Sequence, residues 1–393
     1  MLSTCACIAS ACYDAKAGST PSPVSTPRIV CIGDSITEGW DDLSSPTAPD
    51  HLSYRRDLWG LLRDGNHYVD FVGTKRGIHE DRSPDVPTFD QDNFGWLGLR
   101  SFEVVAQLGS TAPFEADVAL IHIGTNDVFH GIIQGGNGDA NVAAIATFVV
   151  SQINQMIDSL RSANPTMQIV VAQIIPMPSF PPGLRAGLDF DKGAIALNNQ
   201  IAATMTMTGV RVVDMHTNFP AGGSFDGIHP NTVGESFMAN QWMQAMLQAP
   251  TLIPVSPATD AFFWEYGHAC RPAGGPQPRL GLPGPGAQLP QLGTLFSVLC
   301  DNLPAARPMF LGVDVQSAAI PIVHDEANCF HLVSSSATFT NLGYTDSLGT
   351  FTWSITIPNH PSFLGFEQFW QGVAFTNTGV AALTNAAIIR TGN

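Results

Sequence analysis

Residues able to carry out acyl transfer stand on turns at two widely separated points of this chain. Ser35 lies in Gly33-Asp34-Ser35-Ile36-Thr37-Glu38-Gly39, and Asp226 and His229 lie in Asp226-Gly227-Ile228-His229-Pro230. A serine hydroxyl is barely nucleophilic at neutral pH, so it needs a base to take its proton, and His229 is the candidate. Asp226, three residues earlier, can turn its carboxylate to the far ring nitrogen, fixing the tautomer and stabilising the imidazolium. Between them Gly124-Thr125-Asn126-Asp127 follows an apolar run and presents an amide at its end. Acyl transfer also needs donors where the oxyanion develops. The Asn126 side chain, the Ser35 backbone N–H and the N–H of a glycine after the second strand would supply three. Taken singly, each piece has a plainer reading: Gly-Asp-Ser is a common turn, Gly-Thr-Asn-Asp an Asx-turn, and Asp-x-x-His a helix cap. Their order and the elements they follow favour a serine-dependent ester hydrolysis that uses no metal or other cofactor.

Those elements are legible as a pattern. From residue 28 to about 250, short Val/Ile-rich runs alternate with stretches of helical period, the signature of a parallel sheet covered by helices. Strands are expected at 28–32, 68–72, 118–123, 169–175 and 210–214, apolar throughout as strands buried on both faces should be. Helices are expected at 54–62, 141–161, 192–205 and 232–247. In the second of these Val142, Ile145, Phe148, Val149, Ile153 and Met156 keep a spacing of three and four, which marks a buried face. The order predicts a flavodoxin-like, three-layer αβα fold with a five-stranded parallel sheet ordered 2-1-3-4-5. Ligands of such sheets bind between strands 1 and 3, outside their carboxyl ends. Ser35 follows the first strand and Asn126 the third, while the loop carrying Asp226 and His229 is long enough to fold back over the same edge.

With 393 residues, 44% of them hydrophobic, the chain has material for two cores. We read 1–27 as a leader remnant and linker, 28–250 as the α/β domain and 251–393 as a second, all-β domain. Past residue 250 come Pro and Gly clusters at 272–285, then short alternating segments at 294–298, 309–313, 330–334, 350–357 and 372–375, which suggest a small β-sandwich. A net charge of −16, from 17 Lys and Arg against 33 Asp and Glu, argues against nucleic acid or an anionic membrane as partner. No apolar run reaches the ~18 residues of a transmembrane helix. Ala9-Ser10-Ala11 fits the tail of a secretory leader, and Cys12 after it loosely fits an acylation site. A secreted or cell-surface, bacterial extracytoplasmic location is therefore expected. The seven cysteines cannot all pair within one chain. Cys31, inside the first strand, reads as a buried thiol, and Cys270, Cys300 and Cys329 leave room for one disulfide. Zinc spacings of the C-x-x-C or His-x-x-x-His kind are absent.

Other residues draw attention with two readings each. His122, in the third strand, reads as a hydrogen-bonded core histidine rather than a catalyst. Asp34 either orients the serine loop, contacts substrate or stabilises a turn. Trp40, His130 and Gly135-Gly136-Asn137-Gly138 are candidates for a pocket rim. Asp90 and Asp92, near Asn93, could bind a cation, but solvated loop acids are the better reading.

On the serine, asparagine and histidine motifs above, residues 28 to about 250 resemble the SGNH (GDSL) hydrolase superfamily. Carried over residue by residue, the resemblance implies Ser35 as nucleophile, Asp226 and His229 as its triad partners, and Gly98 and Asn126 as oxyanion donors. Gly95-Trp96-Leu97-Gly98 offers two glycines, so Gly95 stays open as the alternative to Gly98. Within the superfamily, Ser53-Tyr54-Arg55, Asp70-Phe71-Val72-Gly73, His122-Ile123-Gly124-Thr125-Asn126-Asp127-Val128 and Asp226-Gly227-Ile228-His229-Pro230-Asn231 resemble carbohydrate esterase family three, the acetylxylan esterases. The Gly-x-Ser-x-Gly elbow of α/β-hydrolases is missing. Tyr266-Gly267-His268-Ala269-Cys270, Pro278-Arg279-Leu280-Gly281 and Ile357-Pro358-Asn359 resemble a β-rich C-terminal module of exported planctomycete-type proteins, which implies a Cys270–Cys329 disulfide and a free Cys300. The expected function is removal of acetyl or other short acyl groups from carbohydrate. The alternatives are a general short-chain ester, lipid or polyester hydrolase, and a surface glycan-binding or attachment protein with an inactive esterase-like half. Polysaccharide contact through Trp353, Trp370, Phe366 and Phe369 is attractive, although aromatic residues in a sandwich are more often core.

Overall fold

The computed structural model describes residues 26–40, 52–79, 87–110, 116–177, 187–256, 259–271, 275–284, 287–321, 329–376 and 379–393. The leader and acylation readings at residues 9–12 lie outside them, as does part of the 272–285 cluster. The strands of the first half are β1 (Arg28–Gly33), β2 (Asp70–Val72), β3 (Lys75–Arg76), β4 (Asp92–Gly95), β5 (Val118–His122), β6 (Gln168–Ala172) and β7 (Val210–Val213). Its helices are α1 (Ser35–Glu38), α2 (Ser53–Asp64), α3 (Ser101–Ser110), α4 (Thr125–Gly135), α5 (Asp139–Ala163), α6 (Phe190–Thr204) and α7 (Thr232–Leu247). β1 pairs in parallel with β5, then β6 and β7 follow in parallel, giving the expected flavodoxin-like order. On its other edge β1 pairs with β2 at residues 28–30 and, further along, with β4 at Ile32 and Gly33. β3 runs antiparallel to β4 at the rim.

Alternation along β1 divides the helices into two layers. Ile29 and Cys31 point into one core with α2 and α7, whereas Val30 and Ile32 point into the other with α3, α4, α5 and α6. Helix α5 is long and apolar enough to cross a membrane by length and composition. Its Val149, Ile153, Met156 and Leu160 are buried in the second core and Val142 is buried as well, which accounts for that composition. Ile145 packs partly against the same core, while Phe148 from the expected stripe is exposed.

The C-terminal part is all β. It comprises β8 (Phe262–Tyr266), β9 (Arg279–Gly281), β10 (Leu295–Asp301), β11 (Pro308–Asp314), β12 (Ser317–Pro321), β13 (Phe330–Val333), β14 (Thr338–Tyr344), β15 (Phe351–Thr356), β16 (Glu367–Thr376) and β17 (Gly379–Arg390). A β15-β10-β9 sheet packs on a β14-β11-β16-β17-β8 sheet, with Phe296, Val298, Met309, Leu311 and Trp370 between them. A β12–β13 ribbon stands beside them. The second sheet turns its other face to the α/β part. Trp264, Tyr266, Phe369, Ala386 and Ile388 share one core with Trp59, Leu62 and Tyr68. Trp59 and Trp264 meet at 4.6 Å between ring centroids, and Tyr68 stacks on Phe262 at 4.2 Å. Arg390 lies over the Tyr68 ring and pairs with Glu367. Cys270 and Cys329 are disulfide-bonded, and Cys31 and Cys300 are free and buried.

Several sequence expectations need correction. Asp90 and Asp92 are not solvated loop acids: Asp90 is buried and accepts from the N–H of Phe71, while Asp92 pairs with Arg76. His122 is a core residue, but neither ring nitrogen has a hydrogen-bond partner among the described residues. Burial pushes its imidazole down to about 4, so it stays neutral. Of the four C-terminal aromatics, Phe369 and Trp370 are buried, Trp353 is half-buried and Phe366 is exposed.

Candidate active site

The serine arrives on a tight turn that a glycine opens and a glycine closes. Gly33 ends β1 where a Cβ would collide with the His122 carbonyl and the Thr37 side chain. Asp34 then caps the single-turn helix α1, its Oδ1 accepting from the Ile36 N–H at 3.1 Å. Ser35 is the first residue of that turn and is 4% exposed. Asp34 is fully buried, its Oδ2 has no partner among the described residues, and burial pushes its carboxyl up to about 7. Of the readings given for it, turn stabilisation and loop orientation fit this position. Arg55 fixes the same turn from α2. It is completely buried and donates to the carbonyls of Thr37, Glu38, Gly77 and Gln91, each at 2.8 Å.

Asp226 and His229 come from the loop between β7 and α7. Asp226 Oδ1 accepts from the N–H groups of Ile228 and His229, and Gly227 between them has φ 90°, a left-handed conformation that suits glycine. Asn231 caps α7 by accepting from Val233 and Gly234, which anchors the histidine just before a helix start. The result is a continuous relay. Ser35 Oγ lies 2.8 Å from His229 Nε2, and His229 Nδ1 lies 2.7 Å from Asp226 Oδ2. Burial works to raise the Asp226 pKa, but the hydrogen bonds from the His229 ring and the two backbone N–H groups outweigh it, so the carboxylate sits below its usual range. Trp40 lies against the imidazole, with ring centroids 4.9 Å apart and planes 26° off parallel, and Phe225 stacks on Trp40 at 5.5 Å.

The donors face the same end of the sheet. Asn126 is the second residue of α4, and its Nδ2 gives one N–H to the Leu99 carbonyl at 3.1 Å, which ties the amide to the loop after β4. In that loop Gly95 is buried and its N–H is already spent on Asn93 Oδ1 at 2.8 Å. Gly98 is exposed, with φ 71°, and its N–H donates no hydrogen bond among the described residues, nor does that of Ser35. The geometry therefore leaves Gly98, not Gly95, with a donor to offer.

Three positioning residues escaped the sequence reading. Glu38, 1% exposed, accepts from the Leu97 N–H at 2.5 Å and pairs with Lys75, so it clamps the Gly98 loop to the serine turn. Asp127 caps α3 by accepting from the Ser101 N–H and hydroxyl, both at 2.8 Å, immediately after that loop. Arg55 stood in a quoted motif without a role. For Glu38 and Asp127 the one signal was a charged residue inside a turn beside glycine, and Arg55, next to Arg56 and Asp57 in α2, carried none. Of the rim candidates, Trp40 lines the recess beside Ser35 with Ile36, Gly39, His229, Pro230 and Glu235. His130 and the 135–138 segment do not line it. His130 sits within α4 against Phe129, and the segment joins α4 to α5. Among the described residues no cluster of His, Cys, Asp and Glu could hold a metal ion.

Comparison with known proteins places these motifs. The sequence model of the GDSL-like lipase/acylhydrolase family matches residues 31–236. A multidomain esterase of Ruminococcus flavefaciens is 24% identical over 245 residues, a stretch covering 57% of this chain but only 29% of that protein. Among solved structures, a carbohydrate esterase family 3 protein from Talaromyces cellulolyticus is 23% identical, covering 57% of this chain and 97% of the other with a TM-score of 0.41. A family 3 carbohydrate esterase from Clostridium thermocellum is 21% identical, covering 56% and 96% with a TM-score of 0.39. With the family's sequence model spanning more than half of its length, from within the first strand into the helix after the histidine, this chain belongs to the GDSL-like lipase/acylhydrolase family.

Proposed function

We propose that the protein is a serine esterase that removes acetyl or other short acyl groups from carbohydrate. The observation that carries the reading is the unbroken relay from Ser35 Oγ through the His229 ring to Asp226, beside two unspent backbone N–H groups. In this mechanism His229 Nε2 takes the Ser35 proton as Oγ attacks the ester carbonyl. The N–H groups of Ser35 and Gly98 and the free N–H of the Asn126 amide stabilise the oxyanion. Collapse breaks the bond to the sugar oxygen, which leaves with the proton from His229. Water then attacks the acyl-serine with His229 again as base, releasing the carboxylic acid and free serine.

A short acyl group is supported by the narrow recess beside Ser35, which Gly39, Trp40 and Pro230 bound. A carbohydrate leaving group is supported by the Ser53-Tyr54-Arg55 and Asp226-Gly227-Ile228-His229-Pro230-Asn231 motifs, and by the names of the esterases reported above. On the same reading 28–250 is the catalytic unit and 251–393 an accessory unit with polysaccharide contact. The protein works outside the cytoplasm, as the Cys270–Cys329 bond supports. A chain-length series of aryl esters run beside acetylated xylan tests this. Acetate release from the polymer with a sharp fall beyond short acyl chains is expected. A preference for long-chain esters, with no release from xylan, would turn the assignment to a lipid or general ester hydrolase.

A further inference from the structure

One mouth of the C-terminal sandwich is lined by polar side chains where a core would continue. There the edge strands β14 and β15 face each other across a cleft of about 480 Å³, within the roughly 300–1,000 Å³ of small-ligand sites. The register fixes which side chains line it. Thr338 and Thr340 pair with Val313 and Leu311, and Val313 pairs in turn with Trp370. Cross-strand partners share a face, and Leu311 and Trp370 belong to the core between the sheets. The two threonines therefore face inward, while Phe339 between them faces out and is 43% exposed. A strand that simply closes a sandwich has the opposite pattern. From the other sheet come Trp353 and Ile355, whose partners Val298 and Phe296 are core residues.

Two further observations point to a ligand. Trp370 lines the cleft and is 2% exposed. Trp353 lies 5.0 Å from it with the ring planes 57° apart, so the two indoles form an angled floor. The walls carry Asp314 and Gln368 beside the threonines. Asp314 accepts from the hydroxyls of Ser334 and Ser336, which hold its carboxyl below the usual range and keep it charged. No lysine or arginine lines the cleft.

We propose that this mouth binds a neutral polysaccharide, with a sugar ring stacked on Trp353 and its hydroxyls bonded to Asp314, Gln368 and the threonines. A sugar has an apolar C–H face and a rim of hydroxyls, which matches an aromatic floor with polar walls. An apolar peptide would leave the inward hydroxyls unpaired. An anionic polymer would meet Asp314 with no cation to offset it. The inference shares the carbohydrate class with the proposed function, but it stands or falls on retention of polymer and not on hydrolysis.

The test is native affinity electrophoresis of the full chain in gels containing soluble arabinoxylan, glucomannan or hydroxyethylcellulose, with polygalacturonate as the anionic counterpart. At least one neutral polymer should retard the protein. Trp353→Ala should weaken that retardation by about tenfold or more, while aryl-acetate hydrolysis stays at the wild-type rate. If Trp353→Ala misfolds, the double variant Thr338→Val with Thr340→Val decides, because it keeps the size of the side chains and removes only the hydroxyls. Retention by no neutral polymer, retention by polygalacturonate alone, or undiminished retention in the variant that folds would each overturn the proposal.

Discussion

The serine wall and the histidine wall of the site are held by different kinds of bond. On the serine side, hydrogen bonds reach across the sequence and are buried or, for Glu38 to Leu97, partly so: Arg55 to the carbonyls of residues 37, 38, 77 and 91, Glu38 to Leu97, and Asp127 to Ser101. On the histidine side they are local and half-exposed, within the Asp226–His229 turn and the Asn231 cap. The difference teaches where precision and stability are coupled. The proposed nucleophile and oxyanion donors come from three separate turns, so their spacing depends on a buried network. A His-Asp pair three residues apart can be set by one turn. Substitutions on the first wall should therefore cost folding and rate together, and those on the second should cost rate alone.

The largest effect separates the two walls most cleanly. Asp226→Asn should lower kcat on an aryl acetate by about 10⁴-fold, because an amide favours the wrong tautomer of His229. Its thermal midpoint should stay close to wild type. A large fall in the midpoint would mean that the histidine wall is structural as well. Next, Arg55→Met should leave the buried Glu38 carbonyl without a donor, while the carbonyls of Thr37, Gly77 and Gln91 each lose one donor and keep another from Ser53 or Asn93. At about 1–3 kcal/mol for an unsatisfied buried group, about that much stability is at stake. Urea unfolding would measure this, and a variant as stable as wild type would remove Arg55 from the argument.

A smaller effect is expected at Glu38. Glu38→Gln keeps an acceptor for the Leu97 N–H but loses the charge that Lys75 faces, so kcat should fall about tenfold as the Gly98 loop loosens, with KM little changed. A rise in KM alone would assign Glu38 to substrate binding. The smallest effect concerns pH. Asp34 is raised in the fold from 3.8 to about 7, so its contribution to stability is fully present below the unfolded value and is lost as pH rises through about 7. Asp34→Asn removes that loss, and its urea midpoint should gain on wild type as pH goes from 4 to 8. A constant difference across that range would show that Asp34 is not buried as the ordinary acid described.

How much of this the sequence reveals depends on which interactions fix each part. Ser35, Asn126, Asp226 and His229 could be read because each follows a Val/Ile-rich strand at the carboxyl edge of a parallel sheet. Strand β4 was missed because Asp92-Asn93-Phe94-Gly95 has no β-branched residue and forms its pairs only where β1 offers Ile32 and Gly33. Strand β17, the longest of the C-terminal part, was missed for the opposite reason. Ala386 and Ile388 face one core while Ala387 and Ile389 face another, so no alternation survives. The Gly95 and Gly98 alternatives could not be separated by spacing, since what distinguishes them is whether Asn93 has already taken the N–H. The Glu38 clamp is hidden for the same reason: its partner lies 59 residues away and is a backbone N–H.

The most direct measurement is acetate release from an aryl acetate and from acetylated xylan by the wild type and by Ser35→Ala, with both proteins shown to be folded. The account predicts release from both substrates by the wild type and a fall to background in the variant. Equal release by the two proteins would contradict Ser35 as the nucleophile.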